Sequence, residues 1–372
     1  MTRPDFMKCF IFILTIALIL SGSFQVEAID IGGEIEINSG LLYQDDFHSQ
    51  FSGRGELELY LPQTRNVSSR LVMQGDLGQK KNELGFKYLY LRHQRENGHI
   101  TLGRQPVAWS YGAMLNPYDF GFGLEGLADE TRTPAIDGIR FFQSLAEGRS
   151  LQLVTDFAEG HYSSLDRMGY GARLRLPSPG YDLSFNLVDQ PFNSDNLLRA
   201  GGTYNSDLGP IGIYGALGYY RLRDAELDDY VAQLGFDYSW QVGPQYDERT
   251  VFLQAEYQRF LDKELGQVFF QQFFAELNQQ NAEVGGMSEN NRQNFALDLY
   301  DMLAVNLSVQ LDPFSRLGTA IVGETGEGMA ALIPFYETEL GGGLELRVEG
   351  NLIHDFHDEL GAGVSAGLSY YF

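Results

Sequence analysis

Charge in this chain arrives in steps of two. Glu34 and Glu36, Glu56 and Glu58, and Glu345, Arg347 and Glu349 occupy alternate positions between apolar neighbours. Arg70, Arg140, Arg173 and Arg175 fall in the polar phase of their own segments. Carboxylates and guanidinium groups at such spacing can serve acid–base catalysis, hold a metal, or line a passage with fixed charge. The stretch HDFHDE (354–359) sets His354 and His357 beside three carboxylates. An i, i+3 histidine pair suits a metal on a helix, and the loop expected there is too short for one. No serine stands in a GxSxG context, and serine and histidine are not patterned together. Carboxylate pairs follow by composition from 50 acidic against 26 basic residues. Neither catalysis nor a metal or other cofactor is expected. Fixed charge along a passage is.

The elements that must position these charges have a period of two, which is the period of a β-strand. In DIGGEIEINSG, Ile31, Gly33, Ile35 and Ile37 oppose Glu34, Glu36 and Asn38. In GRGELELYL, Leu57, Leu59 and Leu61 oppose Glu56, Glu58 and Tyr60. YVAQLGFDYSW, LAVNLSVQL and LELRVEGN repeat the pattern, the last opposing Leu344, Leu346 and Val348 to Glu345, Arg347, Glu349 and Asn351. Many runs reach the roughly 9–11 residues that a tilted strand needs to cross a bilayer, longer than the roughly 5–6 residues usual in soluble sheets. A soluble secreted β-protein is the competing reading.

Eight short turn-rich connections, such as ENG (96–98) and PSPG (177–180), alternate with nine others, of which 110–134 and 262–292 are long. The alternation predicts an all-β, transmembrane antiparallel β-barrel of about 18 strands, or 16 if segments near 181–205 and 316–338 do not each form two. Both termini then lie at the short-turn end, as in bacterial outer-membrane barrels. The run GAGVSAGLSYYF (361–372) alternates throughout and ends on Phe372. It is the strand that must pair with the first, because lipid cannot satisfy an open sheet edge.

At the other end, Arg3 and Lys8 precede the apolar run FIFILTIALIL, with Val26 and Ala28 at a cleavage site. Residues 1–28 read as a secretory signal peptide and 29–372 as the barrel. The lone Cys9 would leave with the signal, so neither disulfides nor thiolate metal sites are expected. Aromatics make up 13% of the chain, fit for interfacial girdles. Mean hydropathy is −0.21, which strands of alternating polarity permit in a membrane. A net charge of −24 argues against nucleic acid as a partner.

The least generic segment is TLGRQPVAWSYGAMLNPYDFGFG (101–123). Its Gly103, Arg104, Gln105, Trp109, Gly112, Asn116, Pro117 and Asp119 resemble a pattern of porin-like barrels of the alginate-export and large-channel type. Pro106 should end or bulge the strand, and Asn116-Pro117-Tyr118-Asp119 should turn. The resemblance implies that this loop folds inward and narrows a channel; an ordinary rim loop is the alternative. In GQVFFQQFFAELNQQN (266–281), Val268, Phe269, Phe273 and Leu277 recur at helical spacing. A terminal aromatic strand of this form also resembles the signal read by barrel-assembly machinery.

Taken as a barrel, the polar phase lines the lumen. Glu34, Glu36, Glu56, Glu58, Glu345 and Glu349 would form an acidic wall, with Arg70, Arg140, Arg173 and Arg175 facing it and Arg347 among the acids. Arg104 shares its phase with Ile100 and Leu102, which points it outward unless a bulge intervenes. The expected function is an outer-membrane, porin-like channel for passive diffusion of small hydrophilic solutes or ions, with a lean towards cations. The alternatives are a structural or adhesion barrel and an outer-membrane hydrolase. Expected partners are outer-membrane lipid, the assembly machinery and small solutes.

Overall fold

The computed structural model describes residues 30–43, 47–61, 64–77, 83–107, 109, 135–157, 168–192, 195–244, 249–261, 301–324, 329–355 and 359–372. The expected signal peptide, the NPYD turn and the helix-period stretch 266–281 lie outside these residues.

Alternating side chains produce strands wherever the period of two holds. They are β1 (Asp30–Tyr43), β2 (Phe47–Tyr60), β3 (Val67–Leu77), β4 (Glu83–Arg95), β5 (Gly98–Pro106) and β6 (Ala135–Ser144). Next come β7 (Ser150–Asp156), β8 (Gly169–Ser178), β9 (Tyr181–Phe192), β10 (Asp195–Leu208), β11 (Ile211–Leu222) and β12 (Leu227–Val242). The last are β13 (Arg249–Phe260), β14 (Asp301–Asp312), β15 (Ser315–Gly323), β16 (Met329–Gly341), β17 (Leu344–Asp355) and β18 (Glu359–Tyr371). The count of 18 stands and the alternative of 16 falls, because 181–208 and 315–341 each fold as two strands.

Every strand pairs antiparallel with its sequence neighbours, and β1 pairs with both β2 and β18, so the sheet closes on itself. Closure gives each ladder backbone group a partner and leaves no edge. At the seam Glu34 lies opposite Tyr371 and Tyr43 opposite Ala362, in unbroken register. The Phe372 and Gly33 backbones exchange two hydrogen bonds of 3.1 Å. The Phe372 ring lies over Gly33, where a Cβ would stand 2.8 Å from it.

The apolar phase faces outward. Ile31, Ile35, Leu41, Phe185, Leu217 and Leu234 are all exposed on that side. Aromatic pairs border it at both ends. Tyr181–Tyr204, Tyr238–Trp240 and Tyr370–Phe372 stack near the short turns, while Tyr219 and Tyr230 meet at 5.5 Å near the longer connections. An apolar band between aromatic girdles is the exterior of a membrane barrel.

Candidate functional site

The inner face is built from the other phase. Around the seam, β1, β2 and β17 bring Glu34, Glu36, Glu56, Glu58, Glu345, Arg347 and Glu349 onto it. The expected acidic wall is not of one sign, because bases are interleaved with these acids. Arg70 Nε donates to Glu58 Oε1 at 2.7 Å, and Lys87 Nζ to Glu56 Oε1 at 2.7 Å. Arg347 lies 3.2 Å from Glu337 and 2.9 Å from Glu349, and Arg316 lies 2.7 Å from Glu337. Arg70, expected away from the seam, is on β3, next to the acid-bearing β2. Where the arginine is open to water, as in Arg70–Glu58 and Arg316–Glu337, such a pair contributes about 0–1 kcal/mol to stability. Each pair offsets the charge of its own carboxylate on the inner wall.

One of these bases reaches the inner face through a bulge. The register of β3 against β4 shifts so that Val72 faces Tyr88 while Met73 faces Phe86, leaving Lys87 without an opposite number. An extra residue in a ladder redirects side chains, and here both Lys87 and Tyr88 turn inward. The Arg70 guanidinium lies 5.1 Å from the centre of the Tyr88 ring and the Lys87 ammonium 5.8 Å, so both cations lie against one aromatic ring.

From β4 to β10 the wall is arginine-bearing. Arg92 and Arg140 both lie opposite Thr101 in the ladder, one strand to either side. Arg92 Nε donates to Thr101 Oγ1 at 3.3 Å, and Arg140 Nη1 to the Pro106 carbonyl at 3.2 Å. Arg173 donates to Ser184 Oγ at 3.0 Å, and Arg199 to Gln190 Oε1 at 2.9 Å. Arg175 pairs with Asp182.

The GRQ segment divides between the faces. Arg104 lies in the outward phase with Leu102, and pairs there with Asp137 at 2.9 Å. No bulge shifts β5 against β4 or β6, which is why Arg104 does not reach the lumen. Gln105 points inward, fully buried, its Nε2 3.2–3.3 Å from the carbonyls of Thr101, Gly103 and Gly138. Gly103 has φ +115°, a conformation that favours glycine. Beyond this clamp the chain turns inward. Val107 and Trp109 pack with Ile136, Val154 and Val188, and Trp109 Nε1 donates to Gln152 Oε1 at 2.9 Å. The other residues matched in this stretch, Gly112, Asn116, Pro117 and Asp119, lie outside the described residues.

Sequence reasoning missed an apolar inner zone. Leu197, Tyr220, Phe260, Met302, Ala304 and Val322 occupy the inward phase towards the longer connections, each no more than 2% exposed. At this level the inner wall is an apolar packed layer instead of a wet charged surface. The signal lay in DMLAV (301–305) and TAIVG (319–323), where both phases turn apolar. Beside this zone Glu256, 1% exposed, accepts from the Tyr214 hydroxyl at 2.6 Å.

These features define a class: a closed, 18-stranded membrane-type barrel with a charged inner wall that carries an apolar zone. No protein-family model and no curated protein matches the sequence. Solved structures share the fold. OccAB4 of Acinetobacter baumannii superposes with a TM-score of 0.57 at 9% identity, over 94% of this chain and 100% of that one. OccK2 (OpdF) of Pseudomonas aeruginosa, crystallised with glucuronate, gives 0.57 at 12% identity over 95% and 98%. A BenF-like porin of Pseudomonas fluorescens Pf-5 gives 0.56 at 10% identity over 93% and 99%. At these identities the likeness is one of porin fold.

Proposed function

We propose that this protein is an outer-membrane channel for passive diffusion of small hydrophilic solutes or ions. The observation that carries the reading is the closed ring with an apolar exterior and an inner wall of partly exposed ion pairs. A barrel of 16–18 strands is wide enough to hold an aqueous path. Glu56, Glu58, Glu337 and Glu349 each pair with a neighbouring base, which supports a weaker cation preference than composition suggested. The inturned Val107–Trp109 segment supports a lumen narrowed on its β6–β9 side.

Residues 1–28 act as a cleaved export signal in this reading, and the β18 strand is the part recognised by the barrel-assembly machinery. The buried apolar inner zone favours one competitor, a structural barrel with a filled lumen. Conductance of the purified, refolded protein in a planar bilayer separates the two. Stepwise openings with a small reversal potential under a salt gradient support the channel. Folded protein without openings supports the structural barrel and overturns the proposal.

A further inference from the structure

The inner face of β1–β4 holds a cleft with more chemistry than ion passage requires. Its volume is about 550 Å3, within the roughly 300–1,000 Å3 of small-molecule sites. It extends from the seam residues Gly32 and Tyr371 to Pro106 at the end of β5. Two ion pairs line it, Arg70–Glu58 and Lys87–Glu56. Tyr60 and Tyr371, 52% and 47% exposed, supply aromatic surface. Gly32 makes room for one of them: a Cβ there would meet the Tyr60 ring at 3.1 Å.

We propose that this cleft binds neutral polyhydroxylated solutes of mono- to disaccharide size during their passage. The inference rests on the channel reading above. Each base in the cleft is matched to its own carboxylate, so an anion finds no unneutralised cation there. A matched pair still presents N–H donors and carboxylate lone pairs side by side. Adjacent hydroxyls of a sugar, each both donor and acceptor, satisfy that arrangement without bringing charge. Glu34 adds a further acceptor next to the pairs. The C–H faces of a pyranose ring are apolar, and half-exposed tyrosine rings offer them surface to cover. The charged pairs fix orientation and the rings supply contact area, so binding is weak enough to release, as conduction requires.

The test is saturable block of the single-channel current by glucose and maltose, with glucuronate as the charged comparison. Wild type, Tyr60→Ala and Glu34→Gln are compared after each variant shows folded, heat-modifiable mobility on gels. Saturation-transfer NMR with maltose on the detergent-solubilised full chain reports binding without any need for conduction. The expected result is block by maltose with half-saturation about tenfold weaker in Tyr60→Ala, the loss of one aromatic contact, and weaker block by glucuronate. Ion steps with no sugar block and no saturation transfer overturn the cleft but leave the channel. Stronger block by glucuronate than by maltose, or variants that bind maltose like wild type, also overturn it. Saturation transfer lost in Tyr60→Ala, from a protein without ion steps, supports the cleft and refutes the channel.

Discussion

Replacing Arg347 by Gln should make the channel more cation-selective, by an amount the geometry sets. Arg347 bridges Glu337 and Glu349, at 3.2 and 2.9 Å. Glu337 keeps Arg316 at 2.7 Å when the bridge is lost, whereas Glu349 is left with one uncompensated charge. A unit charge acting on an ion about 7 Å away through water is worth about 0.6 kcal/mol. That is roughly one RT, or about a threefold rise in local cation concentration and a matching fall for anions. The Debye length is about 10 Å at 0.1 M salt and about 3 Å at 1 M, so the effect should be clear in dilute salt and nearly absent in concentrated salt. The assay is reversal potential under a salt gradient, measured in both regimes. Glu349→Gln should move it the opposite way, and the double variant should return close to wild type, because the pair leaves together. Single variants that shift the potential in the same direction, or a double variant that adds the two shifts, would refute the idea that this wall acts through its local net charge.

Three further outcomes are expected. Trp109→Ala removes a buried indole from the cluster with Val107, Val154 and Val188, along with its bond to Gln152; unit conductance should rise and become noisier, as single-channel recording would reveal. Tyr214→Phe deprives the buried Glu256 carboxylate of its 2.6 Å donor and should cost about 1–3 kcal/mol, seen as a lower urea midpoint, with Glu256→Gln milder because no charge is left short of donors. Gly33→Val sets side-chain atoms against the β2 backbone and the Phe372 ring; refolding yield, scored by heat-modifiable gel mobility, should drop far more than for Phe372→Leu, which merely trims the ring.

Strand grammar was legible because lipid and water impose opposite demands on alternate residues. Ile35 and Glu36 could not exchange faces without burying a carboxylate in lipid. The lumen was less legible, because its charges meet across strands whose register comes from turns and bulges. Nothing local to FKYLY (86–90) reveals that Lys87 turns inward beside Tyr88, since a bulge is a property of two strands. Arg70 was set apart from the acids because its partner Glu58 is on another strand, visible only once β2 and β3 are paired. Arg104 could be read from its phase alone, and there the period of two was enough. The apolar inner zone broke the alternation where Met302 and Ala304 follow the pattern of buried cores instead of wet walls.

The two hydrogen bonds between Gly33 and Phe372 make the first and last strands ordinary neighbours. The sheet is therefore a ring with a nick in it, and the nick has no privileged place in the ladder. Covalently joining residue 372 to residue 30 and cutting instead at the tight Gly209 turn would yield a circular permutant with the same cyclic strand order and the same inner wall. Which strand the cell receives last would change while the finished ring would not, so such a permutant separates the information needed to insert the barrel from the information needed to be one.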